Sequence, residues 1–154
     1  MTDLLTRTAS VADLEVLREL YRRSSLSNAG DRANLLAAPE ALHWVGEGLA
    51  PGRTRVATDG RDRILGFATL VSTEGGLELE DLFVDPEAMR QGVATRLVLD
   101  AVTRAASEGA PWIEVTANRH AAEFYRSAGF VPVGERQTLF GPAPRLRRDV
   151  SPPT

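Results

Sequence analysis

The sequence predicts an α/β domain, with helices flanking a mixed, mainly antiparallel twisted sheet. Three observations predict it. The strand-like runs Arg53–Thr58, Ile64–Ser72 and Leu77–Val84 follow one another through short turns. Directly after them comes a stretch with helical spacing, apolar at Val93, Leu97, Val98, Ala101, Val102 and Ala105. Trp112–Thr116, a short helix and two further strand-like runs then close the chain. The order reads β-α-α-β-β-β-α-β-α-β-β.

Each element has a local reason. Leu4–Thr8 is a short strand. Ser10 is an N-cap for a helix to about Arg23, with Leu14, Leu17, Leu20 and Tyr21 inward. Ser24–Ala38 is polar and reads as irregular, with Gly30 and Asp31 in a loop. Pro39 starts a second helix through about Gly48. Asp59-Gly60-Arg61-Asp62 and Glu74-Gly75-Gly76 turn two hairpins. Asn118 caps a short helix that Gly129 ends as a left-handed cap. Val131–Leu139 and Arg145–Val150 are the last strands, joined stiffly by Gly141-Pro142-Ala143-Pro144.

Composition narrows the function. The 154 residues give one domain, expected over 1–150, with 151–154 as a tail. No apolar run approaches a membrane span, and the N-terminus lacks signal-peptide regions, so a cytoplasmic protein is the default expectation. A net charge of −3 argues against nucleic acid as a main partner. No cysteine is present, which excludes disulfides, thiolate metal sites and a cysteine acyl-enzyme. All 18 basic residues are arginine, so no lysine offers a competing amine. His43 and His120 are too few and too isolated for a metal site.

The most informative stretch is Val84-Asp85-Pro86-Glu87-Ala88-Met89-Arg90-Gln91-Gly92-Val93-Ala94. A strand ends, a basic glycine loop follows, and a helix opens. The first helical amides lack intrahelical acceptors, and the helix dipole favours an anion there. Gly92 and Ala94 keep side chains out of the way of phosphate oxygens, and Arg90 adds positive charge. A second block, Asn118-Arg119-His120-Ala121-Ala122-Glu123-Phe124-Tyr125-Arg126-Ser127-Ala128-Gly129-Phe130, follows the strand at Trp112. Together the blocks resemble the GCN5-related N-acetyltransferase (GNAT) family. The family's Arg/Gln-x-x-Gly-x-Gly/Ala loop stands here as Met89 to Ala94, with Met89 at the usual Arg/Gln position. Its Asn-x-x-Ala-x-x-Phe-Tyr-x-x-x-Gly-Phe stands as Asn118 to Phe130 without a gap.

The resemblance implies acetyl-CoA as cosubstrate, with no metal. It implies pantetheine contacts from Leu82, Phe83 and Val84, in a gap where their strand splays from Trp112–Thr116. It implies phosphate contacts from Met89, Arg90, Gln91, Gly92, Val93, Ala94 and Thr95, and an arm contact from Asn118, which otherwise is only a helix cap. A backbone amide near Val84 would polarise the thioester carbonyl.

Amine acetylation needs a base for the ammonium and an acid for the leaving thiolate. A phenol near pKa 10 is closely matched to a thiol near about 8.5. Tyr125 matches the family's acid; its bland reading is a core or rim tyrosine. Glu80 is the first base candidate, with Glu114 and Glu78 as alternatives, and Asp81 and Glu74 also compete. A true base needs partial burial to raise its pKa. The expected acceptor is a small-molecule amine or a peptide N-terminus, walled by Leu26 to Leu36, by His43 and Trp44, and by Phe140 to Pro144. A homodimer is compatible with the family. A second function class stays open: an acetyl-CoA-binding sensor without catalysis.

Overall fold

The strands form a seven-stranded sheet in the order β1-β2-β3-β4-β5-β7-β6. They are β1 (Leu5–Thr8), β2 (Thr54–Thr58), β3 (Ile64–Thr73), β4 (Gly76–Val84), β5 (Trp112–Thr116), β6 (Val131–Thr138) and β7 (Gly141–Asp149). The helices are α1 (Leu14–Leu26), α2 (Ala29–Ala37), α3 (Val93–Ser107) and α4 (Ala122–Ser127). This computed structural model describes residues 4–27, 29–118, 120–139 and 141–150. Arg119, Phe140 and the tail 151–154 fall outside the described residues. The predicted α/β class and element order hold. Internal contacts group the chain into two units, Met1–Thr69 with Asp81–Leu97, and Leu70–Glu80 with Val98–Thr154.

In the first unit β1 pairs antiparallel with β2, and β2 with β3. Ala9, Leu17, Leu20, Trp44, Leu49, Val56, Ile64 and Phe67 form its core, with Leu14, Tyr21 and Phe83 packed against it. The entry to α1 differs from expectation. A short 3-10 turn at Val11–Asp13 comes first, because the Asp13 carboxylate accepts from the Ser10 amide at 2.9 Å. The helix then runs past Arg23 to Leu26.

Two sequence expectations fail in this unit. Ser24–Ala38 is not irregular: α1 continues to Leu26 and α2 occupies Ala29–Ala37. Gly30 and Asp31 sit in the first turn of α2, where the penalty for glycine in a helix interior does not apply. Conversely, no second helix runs from Pro39 to Gly48. A single 3-10 turn spans Pro39–Leu42, and His43 is already extended. The Trp44 carbonyl accepts from Arg18 Nε at 2.9 Å, so it serves α1 and not a helix of its own. The helix order was right, but its second helix lies earlier in the chain.

Helix α3 reaches β3 closely. A Cβ at Gly66 would come within 2.8 Å of the Phe83 carbonyl oxygen and of Val93 Cγ1. Only glycine lets the first turn of α3 rest on the strand there.

In the second unit β5 pairs antiparallel with β7, and β7 with β6. Strand β7 corrects a third expectation. Gly141–Pro144 is strand, in register with Glu135–Thr138 of β6, not a connection. Pro144 passes its carbonyl to the Ala117 amide at 3.0 Å, so its backbone points toward the β5 edge. By two-residue alternation Pro142 points the same way. The missing proline N–H groups therefore cost the β6 ladder nothing.

Replacing Gly66 with valine should destabilise the protein by about 1–3 kcal/mol, because backbone blocks the new side chain. Urea unfolding would measure it; an unchanged midpoint would contradict the close packing of α3 on β3.

Candidate active site

In the first unit, β4 ends at Val84 and Asp85 begins the corner to α3. A 3-10 turn at Pro86–Ala88 follows, its opening amide at Glu87 donating to Asp85 Oδ1 at 3.0 Å. Arg90 then takes φ +65° and Gly92 φ +81°. A left-handed non-glycine residue costs on the order of 1–2 kcal/mol, so tertiary structure holds Arg90 there. A Cβ at Gly92 would meet nothing within 4 Å, so backbone conformation, not crowding, sets the local demand for glycine. The Arg96 amide donates to the Gly92 carbonyl at 2.9 Å, the first helical bond. The amides of Val93, Ala94 and Thr95 therefore precede any helical acceptor. Met89 and Gln91 are exposed.

The other end of β4 belongs to the second unit. There β4 and β5 run parallel, in register at Leu77–Ile113 and Glu78–Glu114. Among the described residues the register stops at that pair, although both strands continue. Two carboxylates thus stand side by side where pairing ends. Arg145 of β7 lies across them. Its Nη1 donates to both Glu78 oxygens, at 2.7 and 2.9 Å, and its Nη2 is 3.4 Å from Glu114. The hydrogen bond to Glu78, with both carboxylates adding to it, raises the Arg145 pKa further and keeps it charged. Arg147 pairs with Glu114 at 3.4 Å and stacks over the Trp112 ring at 4.1 Å. Glu78 and Glu114 are thus already engaged by arginine.

Tyr125 is also in the second unit, on α4, and is 5% exposed. Its ring meets Phe124 and Phe130 edge-on, at 5.4 and 5.3 Å. Asn118 Oδ1 accepts from the Ala121 amide at 2.8 Å, so it does shape the entry to α4. Gly129 takes φ +92° and ends the helix as the sequence predicts.

A family model described as an acetyltransferase (GNAT) domain matches residues 40–141, more than half of the chain. The chain belongs to the GNAT acetyltransferase family. Among solved structures, a GCN5-related N-acetyltransferase from Rhodopseudomonas palustris is 19% identical, with 97% of each chain covered and a TM-score of 0.79. A PaiA N-acetyltransferase from Thermoplasma acidophilum, in complex with coenzyme A, is 18% identical. That match covers 96% of this chain and 99% of the other, at a TM-score of 0.70. A nourseothricin acetyltransferase is 25% identical, covering 64% of this chain and 65% of its own, at a TM-score of 0.58. No curated protein matches the sequence.

Within this GNAT chain, burial raises the proton affinity of Asp81, a competitor that the sequence did not favour. It lies on β4 in the first unit. Trp44 Nε1 donates to its Oδ2 at 3.1 Å, and Thr69 hydrogen-bonds it. Burial raises its pKa, and the two hydrogen bonds oppose that. The hydroxyls of Thr54 and Thr69 lie 2.9 Å apart, so when Thr69 donates to Asp81, Thr54 can donate to Thr69. Nearby Tyr21 has its phenol pKa raised, first by burial and then by the Asp81 charge. The signal was Asp81's strand parity with Leu77, Leu79 and Phe83, which are apolar. Glu80 has the opposite parity and is exposed.

The Arg145 bridge makes a stability prediction. Arg145→Met should cost about 1–3 kcal/mol, since Glu78 loses its counter-ion and Glu114 is left with Arg147 alone. Adding Glu78→Gln should recover part of that loss in a double-mutant cycle read by urea unfolding. Asp81 makes another. Its folded-state pKa is raised, so its stabilising contribution is fully present below the unfolded aspartate value and lost as pH rises through the folded value. Melting curves of wild type should therefore fall relative to Asp81→Asn over that acid window; parallel curves would contradict the burial of Asp81.

Proposed function

We propose that this protein is an N-acetyltransferase that moves the acetyl group of acetyl-CoA to a primary amine by direct attack. The carrying observation is the corner after β4, where left-handed Arg90 and Gly92 lead into the open amides of Val93, Ala94 and Thr95. Those amides and the Arg90 charge suit a pyrophosphate. Backbone at Leu82, Phe83 and Val84 would hold the pantetheine arm, with Met89, Gln91 and Asn118 as further contacts. Similarity to a family member solved with coenzyme A supports the same cosubstrate.

In this reading Asp81 is the base. It takes a proton from the acceptor ammonium, and the freed amine attacks the thioester carbon. The C–N bond forms, the C–S bond breaks as Tyr125 gives its proton to the departing sulfur, and the second proton lost from nitrogen restores the phenol. Asp81 is preferred over Glu80 because Glu80 is exposed, and over Glu78 and Glu114 because Arg145 and Arg147 engage those. The Asp81 carboxylate favours a cationic acceptor. A small-molecule amine and a peptide N-terminus both meet that description. No helix among the described residues is long and apolar enough to cross a membrane, which agrees with the cytoplasmic setting we propose.

The test is acetyl-CoA turnover against a panel of amines, read as free thiol. The protein has no thiol of its own, so background is low. Tyr125→Phe and Asp81→Asn should each lower kcat by about 100-fold or more. Wild-type activity should fall with decreasing pH as Asp81 takes up its proton, above the usual aspartate range, and Asp81→Asn should lack that limb. Acetyl-CoA binding with no turnover on any amine would favour the sensor. No acetyl-CoA binding would overturn the reading.

A further inference from the structure

Asp85 is the most heavily engaged carboxylate next to the loop, and no catalytic step uses it. Its side chain is 3% exposed. Its amide donates to the Leu65 carbonyl of β3 at 2.8 Å, and its own carbonyl accepts from the Ala88 amide at 2.8 Å. Oδ1 accepts from the Glu87 amide at 3.0 Å, and Oδ2 accepts from Arg23 Nη2 at 2.6 Å. The first three contacts come from the adjoining strand and the loop itself. The fourth comes from α1. Arg23 is 43% exposed and also lies 3.6 Å from Glu19 on its own helix.

We propose that Arg23 is a positioning residue for the loop 85–92, acting through Asp85, and that it thereby sets the affinity for the diphosphate of acetyl-CoA. This rests on the acetyl-CoA reading above. Two effects act in the same direction. The ion pair fixes the rotation of the corner from which the left-handed turns at Arg90 and Gly92 are built, and so aims the amides of Val93, Ala94 and Thr95. It also neutralises a buried carboxylate in the segment that would receive another anion. Arg63, 3.0 Å from Glu87, is a weaker tie because both partners are exposed.

The experiment compares wild type, Arg23→Gln and Arg23→Lys by calorimetry with acetyl-CoA and by amide hydrogen exchange without ligand. In Arg23→Gln the Kd should rise about tenfold. Exchange should quicken at residues 86–95 while 14–26 and 64–70 stay protected. Arg23→Lys should restore most of both. An unchanged Kd overturns the proposal. Faster exchange throughout the first unit also overturns it, because the role is then merely structural. If wild type fails to bind acetyl-CoA, the acyltransferase reading falls, and the affinity part of the proposal with it. The exchange data then decide separately whether Arg23 orders the loop: confined quickening supports that part, and unchanged exchange overturns it.

Discussion

A buried carboxylate must be answered by donors, because an uncompensated one costs several kcal/mol even after relaxation. At Asp85 the donors are the Glu87 amide and the Arg23 guanidinium, and they are also what bends the chain from β4 toward α3. The left-handed conformations at Arg90 and Gly92 follow that corner.

The second requirement on α3 is closeness. Gly66 gives up a side chain so that Val93 and the Phe83 carbonyl can approach β3. Val93 and Leu97 are buried in consequence, and the first turn of α3 is anchored on its inner side. The outer side, at Thr95, remains exposed. A helix start pinned on one side and open on the other suits the capture of an anion by backbone.

Strand β4 carries alternating chemistry on its two faces. One face places Glu78 beside Glu114, and Arg145 bridges the pair where the parallel register stops. The other face places Asp81 against Trp44 and Thr69, and burial raises its proton affinity there. Two carboxylates three residues apart thus have opposite fates. One is held in an ion pair, and the other is surrounded by neutral donors and rings.

The sequence by itself determined the element order, the family and the two motif blocks. Those depend on local spacing: helical periodicity from Val93, strand alternation in β4, Asn118 and Gly129 bracketing α4. It misplaced the second helix and took part of β7 for a turn, because Gly30, Pro142 and Pro144 are breakers only in some positions. A helix's first turn and the side of a strand turned away from the β6 ladder tolerate them. Which carboxylate has its proton affinity raised by burial was beyond sequence. Glu78, Glu80, Asp81 and Glu114 are chemically alike, and only packing decides that Arg145 lies over two of them while Trp44 and Thr69 enclose a third. The Arg23–Asp85 pair spans 62 residues of chain, so only the tertiary fold could bring it together.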